Sequence, residues 1–275
     1  MASLFMTKTF IFDPPYLRQP AVRVDSWGIG FLAVGIAALQ IVLDKGQEED
    51  WFGSRFITTL TVLMVVMLTA FIVRELRTRH PVVNLRIFLQ RTYAAGTTLM
   101  TLLGFVLYGS MVALPIFLQT LLGYPSQQAG ITMAPRGLGS FVGMPMVGII
   151  IGRVDPRKML AVGLVGSAFS LMALSHLNLG AGYWDLFFPQ FFQGIFMSML
   201  FVPLTTITMD AIRKEEMGNA TSLFNLMRNI GGSIGIAVAT TMISRTSQSF
   251  VNTLGRHVNP YSPQAQMRVE QLRGY

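Results

Sequence analysis

Side chains able to do chemistry are few and scattered in this sequence. There is no cysteine, which removes thiolate nucleophiles, disulfides and thiolate metal sites. His80, His176 and His257 stand too far apart to share a metal at any ligand spacing. The acids, Asp13, Asp25, Asp44, Glu48, Glu49, Asp50, Glu75, Asp155, Asp185, Asp210, Glu215, Glu216 and Glu270, all fall in loops or at the ends of apolar runs. No nucleophile elbow or phosphate-binding loop occurs. Residues 27–33 (WGIGFLA) match a dinucleotide glycine pattern, but no strand precedes them and they lie inside an apolar run. The residues therefore describe no enzyme, no metal site and no cofactor. Two charges stand apart, Arg136 and Arg228, because both interrupt apolar runs. A charge at mid-bilayer costs ~2.5–3.5 kcal/mol on insertion scales, so each arginine must face protein or water. Thr132, Ser140 and Gly143 share the helical face of Arg136, and Thr221, Asn225, Gly232 and Gly235 that of Arg228, at spacings of three, four or seven residues.

The elements that position these residues are set by composition. Of 275 residues, 52% are hydrophobic and 12% charged, against about 25% charged in a soluble domain. The net charge of +8 does not indicate nucleic acid, because Lys and Arg sit between apolar runs and not on one solvated face. The partner is a lipid bilayer. A hydrocarbon core needs about 20 apolar residues of helix, and seven runs satisfy this: 27–43, 56–73, 93–122, 129–151, 159–178, 184–209 and 218–243. Met1 to Phe12 is apolar but too short to span, and it lacks the charged start and cleavage site of a signal peptide. It reads as the end of a helix. Lys and Arg are retained on the cytoplasmic side of short loops. Segment 1–25 holds three, loop 74–92 five, loop 152–158 three and loop 210–217 two; the alternate loops and the tail hold two, none, none and four. The N-terminus is thus expected in the cytoplasm and the tail outside it.

Local signals sharpen this outline. Asp155-Pro156 supplies an N-cap acceptor and a first-turn proline, so a helix begins there. Residues 81–91 (PVVNLRIFLQR) read as a short interfacial helix on the cytoplasmic surface. Pro115, Pro135, Pro145 and Pro203 fall within spans, where kinking against neighbours accommodates the lost N–H. Gly139, Gly143, Gly148 and Gly152 on the fourth run, and Gly231 and Gly235 on the seventh, mark faces of close helix packing.

Residues 75–88 (ELRTRHPVVNLRIF), 148–158 (GIIIGRVDPRK), Gln193-Gly194 with 201–206 (FVPLTT), and 218–237 (GNATSLFNLMRNIGGSIGIA) together resemble the fourteen-span drug:proton antiporters of the major facilitator superfamily, the EmrB/QacA type. The resemblance covers nearly the whole chain. It implies an all-α integral membrane protein, a partial helical bundle of about seven transmembrane helices from the C-terminal portion of such a transporter. Residues 1–25 then form the end of a preceding span and a cytoplasmic connector. Residues 26–92 form two central helices with an interfacial segment, 93–243 five of the six helices of the C-terminal bundle, and 244–275 an extracytoplasmic loop before a final helix.

By the same resemblance the third and sixth runs line the substrate cavity, which makes Tyr108, Gln119, Gln190, Gln193 and Met197 the site residues. The glutamines have a second reading, as hydrogen bonds to a neighbouring helix. The fourth and seventh runs form the seam with an N-terminal bundle, so Arg136, Arg228 and Asn225 are expected at a gate. Gly148, Arg153, Asp155 and Arg157 belong to a cytoplasmic loop motif, with one departure: Gly152 stands where the family places an acid. Asp155 either replaces that acid or caps the next helix, and its N-cap context favours capping.

The implied function is proton-driven multidrug efflux across a bacterial inner membrane, by alternating access. Its partners are hydrophobic, often cationic small molecules, protons carried by an N-terminal half, and a periplasmic adaptor protein. The other readings are a permease of the same fold for a lipid or small metabolite, and a non-transporting membrane protein. Alternating access needs two bundles, so the chain alone is expected to export nothing. Because the chain has no cysteine, single cysteines at Gln47, Arg157 and Ser262 report topology. In intact cells an impermeant thiol reagent should label positions 47 and 262 and spare 157; labelling of 157 alone would invert the orientation.

Overall fold

The computed structural model describes Met6 and residues 25–78 and 83–257. Seven long helices, with no strand among the described residues, follow one another: α1 (Ser26–Lys45), α2 (Arg55–Arg77), α3 (Arg91–Ile116), α4 (Ser126–Ile150), α5 (Pro156–Ser175), α6 (Tyr183–Asp210) and α7 (Met217–His257). Each corresponds to one apolar run. Six are long and apolar enough to cross a membrane by length and composition. The other, α4, is 25 residues long but is diluted by Gln127, Gln128, Arg136 and its glycines.

Three helix starts and stops follow from single residues. Asp25 caps α1, its Oδ1 accepting from the Gly28 N–H at 3.2 Å. Asp155 caps α5, accepting from the Arg157 N–H at 2.9 Å, with Pro156 in the first turn. Arg74 and Arg77 occupy the last turn of α2, where a cation is favoured by the helix dipole. Asp25 also ties α1 to α2: Arg74 donates from Nε to Oδ2 at 2.7 Å and from Nη2 to Oδ1 at 2.8 Å. This fork holds the Asp25 carboxyl below its ordinary range.

The helices pair as α1 with α2, α3 with α7, and α4 with α6; α5 packs on α6, and α3 meets α6 across the centre. Glycine makes these seams. A Cβ at Gly231 would strike the Thr101 carbonyl, one at Gly235 the Phe105 carbonyl, and one at Gly104 the Arg228 carbonyl. On the other side, Gly139 lies against the Phe191 carbonyl and Gly194 against that of Arg136. The hairpin α1–α2 reaches α7 through polar contacts: the Ser233 hydroxyl donates to Gln40 Oε1 at 2.7 Å and Gln47 Nε2 to Ser244 Oγ at 3.3 Å.

Several expectations are corrected here. Gly148 and Gly152 face open space, so only the Gly139–Gly143 part of the α4 stripe packs on α6; at 3.6 residues per turn the five-residue step from Gly143 turns Gly148 roughly 140° away from that face. The described part of 81–91 holds a helix shorter than the run, a 3₁₀ helix over Leu85–Leu89, with Arg86 and Leu89 exposed. Its one buried side chain, Ile87, anchors it on Tyr93, Ile212, Ala220 and Leu223. The expected boundary at 243 cuts a continuous helix: α7 runs to His257, since 244–254 contains neither Gly nor Pro to stop it. Residues 1–24 and 258–275, with the connector and the end of the tail assigned to them, lie outside the described residues.

Two outcomes follow. Gly139→Ala or Gly231→Ala should each lower stability by about 1–3 kcal/mol through overpacking, whereas Gly130→Ala, with nothing within 4 Å, should be neutral or stabilising; thermal unfolding in detergent decides. The stability difference between wild type and Asp25→Asn should be full above the unfolded carboxyl pKa of about 3.9. It should vanish as the pH falls through the lower folded value, because the depressed carboxyl is then protonated.

Candidate functional site

Arg136 sits where α4 crosses α6. Its carbonyl meets Gly194, and its side chain reaches two cavities, one on either side. The first, about 310 Å³, is lined by Ser110, Ala113 and Leu114 of α3 with Phe117 just after it, by Leu171, Leu174 and Ser175 of α5 with Leu177 beyond it, and by Gln193 of α6. The second, about 380 Å³, has Leu107, Met111, Met133, Gly137, Ser140, Met144, Met197, Ser198 and Phe201 around the same arginine. Phe117 belongs to a π turn, Phe117–Leu121, that follows Pro115. Such wide turns relieve a helix disturbed by proline and are frequent at functional sites.

The polar atoms of this region are unevenly satisfied, and even Gln190 keeps a buried Oε1 without a donor. Gln190 donates from Nε2 to the Thr132 carbonyl on α4 at 2.8 Å and is buried. Ser140 donates to the Gly194 carbonyl at 3.2 Å, closing the same seam. Gln193 is only 1% exposed, yet its Nε2 has no hydrogen-bond partner, and neither has the buried Nη2 of Arg136. No described acid is near: on α6 the closest in sequence, Asp185, accepts from the Gly182 N–H in its own first turn.

The site residues read from the sequence are therefore partly brought together. Gln193 joins Arg136 at the first cavity and Met197 joins it at the second. Gln190 takes up the helix-to-helix bond instead. Tyr108 lies over Gly232 on α7, and Gln119 is exposed in the π turn; neither lines these cavities. The polar stripes do not face an empty seam along their whole length. Thr132, Ser140 and Gly143 meet α6, and Gly232 and Gly235 meet α3, because close backbone approach consumes those faces. Arg228 has a buried Nε without a partner, and Asn225 Nδ2 donates back to the Thr221 carbonyl at 3.0 Å. In the loop motif, Asp155 spends an oxygen on its cap, Arg153 and Arg157 are exposed, and Gly148 touches nothing. The contribution of α5 was not evident in the sequence, since Leu171 and Leu174 look like any other lipid-facing leucines.

Residues 26–236 match the family model of the Major Facilitator Superfamily. Among curated proteins the chain is similar to the multidrug export protein EmrB of Escherichia coli K12, 35% identical over 262 residues, or 94% of this chain and 50% of that one. It is similar to the fatty acid resistance protein FarB of Neisseria gonorrhoeae, 36% identical over 239 residues, 86% of this chain and 47% of that one. The colistin resistance protein EmrB of Acinetobacter baumannii is 25% identical over 249 residues, 90% of this chain and 49% of that one. The chain spans about half the length of the curated relatives it matches.

Gln190 and Gln193 are three residues apart on one buried helix but should answer mutation differently. Gln190→Leu should cost about 0.6–1.7 kcal/mol, the range of interhelical hydrogen bonds in membranes. Gln193→Leu should cost nothing or stabilise, since it removes a buried donor that bonds to nothing. Unfolding of the two variants side by side in detergent checks this.

Proposed function

The chain belongs to the major facilitator superfamily, and on that premise we propose that it contributes one bundle of a proton-driven exporter of hydrophobic small molecules in a bacterial cytoplasmic membrane. Similarity at 35% identity to a multidrug export protein along 94% of the chain carries this reading. The geometry supports it. The cavities flanking Arg136 are apolar, close to the ~300 Å³ lower end of small-molecule sites. One is rimmed by Met111, Met133, Met144 and Met197, flexible and polarisable side chains that adapt to varied ligands. In this proposal residues 26–92 form the two central helices, 93–243 the C-terminal bundle, and the N-terminus faces the cytoplasm. Arg136, Arg228 and Asn225 are proposed to meet the other bundle at a gate, and a periplasmic adaptor is the proposed outer partner.

Proton uptake needs a group that changes charge within the membrane. The described acids all lie at helix ends or in loops, and arginine does not release its proton, so the coupling group belongs to the other half of the exporter. The same reasoning applies to a cationic substrate, whose counter-charge this bundle does not hold. A second reading, export of a fatty acid or related lipid, is favoured by similarity to a fatty acid resistance protein.

The reading frame that carries this chain, expressed in an efflux-deficient bacterium, should raise tolerance to hydrophobic drugs and extrude ethidium, and collapse of the proton gradient should abolish both. Tolerance to fatty acids alone would select the second reading, and no effect on either class would refute export.

A further inference from the structure

We propose that the cavity between α3, α4, α5 and α6 is a binding site for a hydrophobic monocarboxylate, with Arg136 and Gln193 holding its head group. Four observations place it. The cavity is walled by Ala113, Leu114, Phe117, Leu171, Leu174 and Leu177, which suits a hydrocarbon tail and offers no counter-ion. Its polar donors come from both sides of the α4–α6 seam, where Gly194 brings the backbones into contact beside Gln193. Gln193 Nε2 and Arg136 Nη2 are both buried and both without a hydrogen-bond acceptor. Arg136 makes no ion pair or side-chain hydrogen bond with any described residue, while the nearby Gln190 Nε2 and Ser140 hydroxyl donate to the Thr132 and Gly194 carbonyls; Gln190 Oε1 is an acceptor left without a donor and takes a hydrogen bond from neither of these two groups.

These donors call for one acceptor group. A buried amide N–H and a guanidinium left unpaired carry a desolvation cost that a carboxylate removes, since its two oxygens accept from both. An alcohol would satisfy one donor and leave the arginine charge uncompensated. A quaternary ammonium would add a second positive charge to a site without an acid. The site thus distinguishes head groups by charge and tails only by volume, which is the selectivity of an amphiphile pocket. Ser110 and Ser175 line the cavity too, but each hydroxyl proton is spent on its own helix, on the Leu107 and Met172 carbonyls at 2.8 Å. They add acceptors, not donors, so the anion belongs at Arg136 and Gln193.

As a substrate site this rests on the export reading, but binding to the 275-residue chain can be measured without transport. The purified chain in neutral phosphatidylcholine nanodiscs is titrated with dodecanoate, dodecanol and dodecyltrimethylammonium at a pH that keeps the carboxyl ionised, each competing with a fluorescent fatty acid. Dodecanoate should bind about tenfold tighter than dodecanol, as expected for a charge-assisted pair, and the ammonium should bind most weakly. Arg136→Met and Gln193→Leu should bring dodecanoate to the level of dodecanol while lowering dodecanol binding by no more than a single neutral hydrogen bond, about two- to tenfold, and retained dodecanol binding shows that the cavity is still folded. Arg91→Met, at the exposed start of α3, should retain the preference. Should Arg136→Met fail to fold, Arg136→Lys, which keeps the charge without the fork, should reduce the preference without abolishing it. Equal binding of dodecanoate and dodecanol by the wild-type chain, or a preference that survives both Gln193→Leu and the Arg136 variants, would overturn the proposal. Head-group selectivity in a chain whose reading frame exports nothing would leave the site standing and refute export.

Discussion

Backbone contact through glycine is the constraint on which this bundle depends. In lipid there is no hydrophobic gain in bringing two apolar helices together, so association rests on van der Waals fit and on interhelical hydrogen bonds. Gly104, Gly231 and Gly235 let α3 and α7 touch main chain to main chain, and Gly139 and Gly194 do the same for α4 and α6. Tyr93 fastens the first pair by donating its buried hydroxyl to the Ala220 carbonyl at 2.8 Å. Gln190 fastens the second through Thr132. Where backbones come this close, no room is left for long side chains in the seam. Arg136 and Gln193 are therefore turned out of it and into the cavities at its edge.

That displacement links packing to function. A guanidinium inside a span is tolerated only where protein or water receives it. Arg136 has apolar walls on both sides, with a methionine-rich cavity on one and a leucine-rich cavity on the other. The lining of both cavities carries positive charge and no acid. On the export reading proposed above, such a bundle would supply recognition and a moving wall, and charge changes during the cycle would come from its partner.

The fold was largely legible because helix length and hydropathy are local properties. All seven runs became helices, and Asp155-Pro156 marked the start of α5 to the residue. What was lost depended on neighbours distant in sequence. Ile87 anchors the short 3₁₀ helix of residues 85–89 on Tyr93 and Leu223, a contact that amphipathic reading cannot foresee. The extension of α7 past 243 was hidden because polar residues on a helix outside the bilayer look like a loop by hydropathy. Of the sequence candidates, Gln193 and Met197, expected in a cavity, and Arg136, expected at a gate, all line the cavities described, but sequence could not separate Gln193 from Gln190. The two differ only in whether α4 presents a carbonyl within reach. The wall contributed by α5 is invisible until α5 is seen to lie on α6.

The most direct measurement is photolabelling of the protein in membranes with a diazirine-bearing fatty acid, mapped by mass spectrometry of the peptides. The account predicts saturable label on Phe117, Leu171 and Leu174, which enclose the cavity facing Arg136 and Gln193, and competition by unlabelled acid. Label confined to exposed positions such as Phe141 and Phe169, without competition, would contradict it.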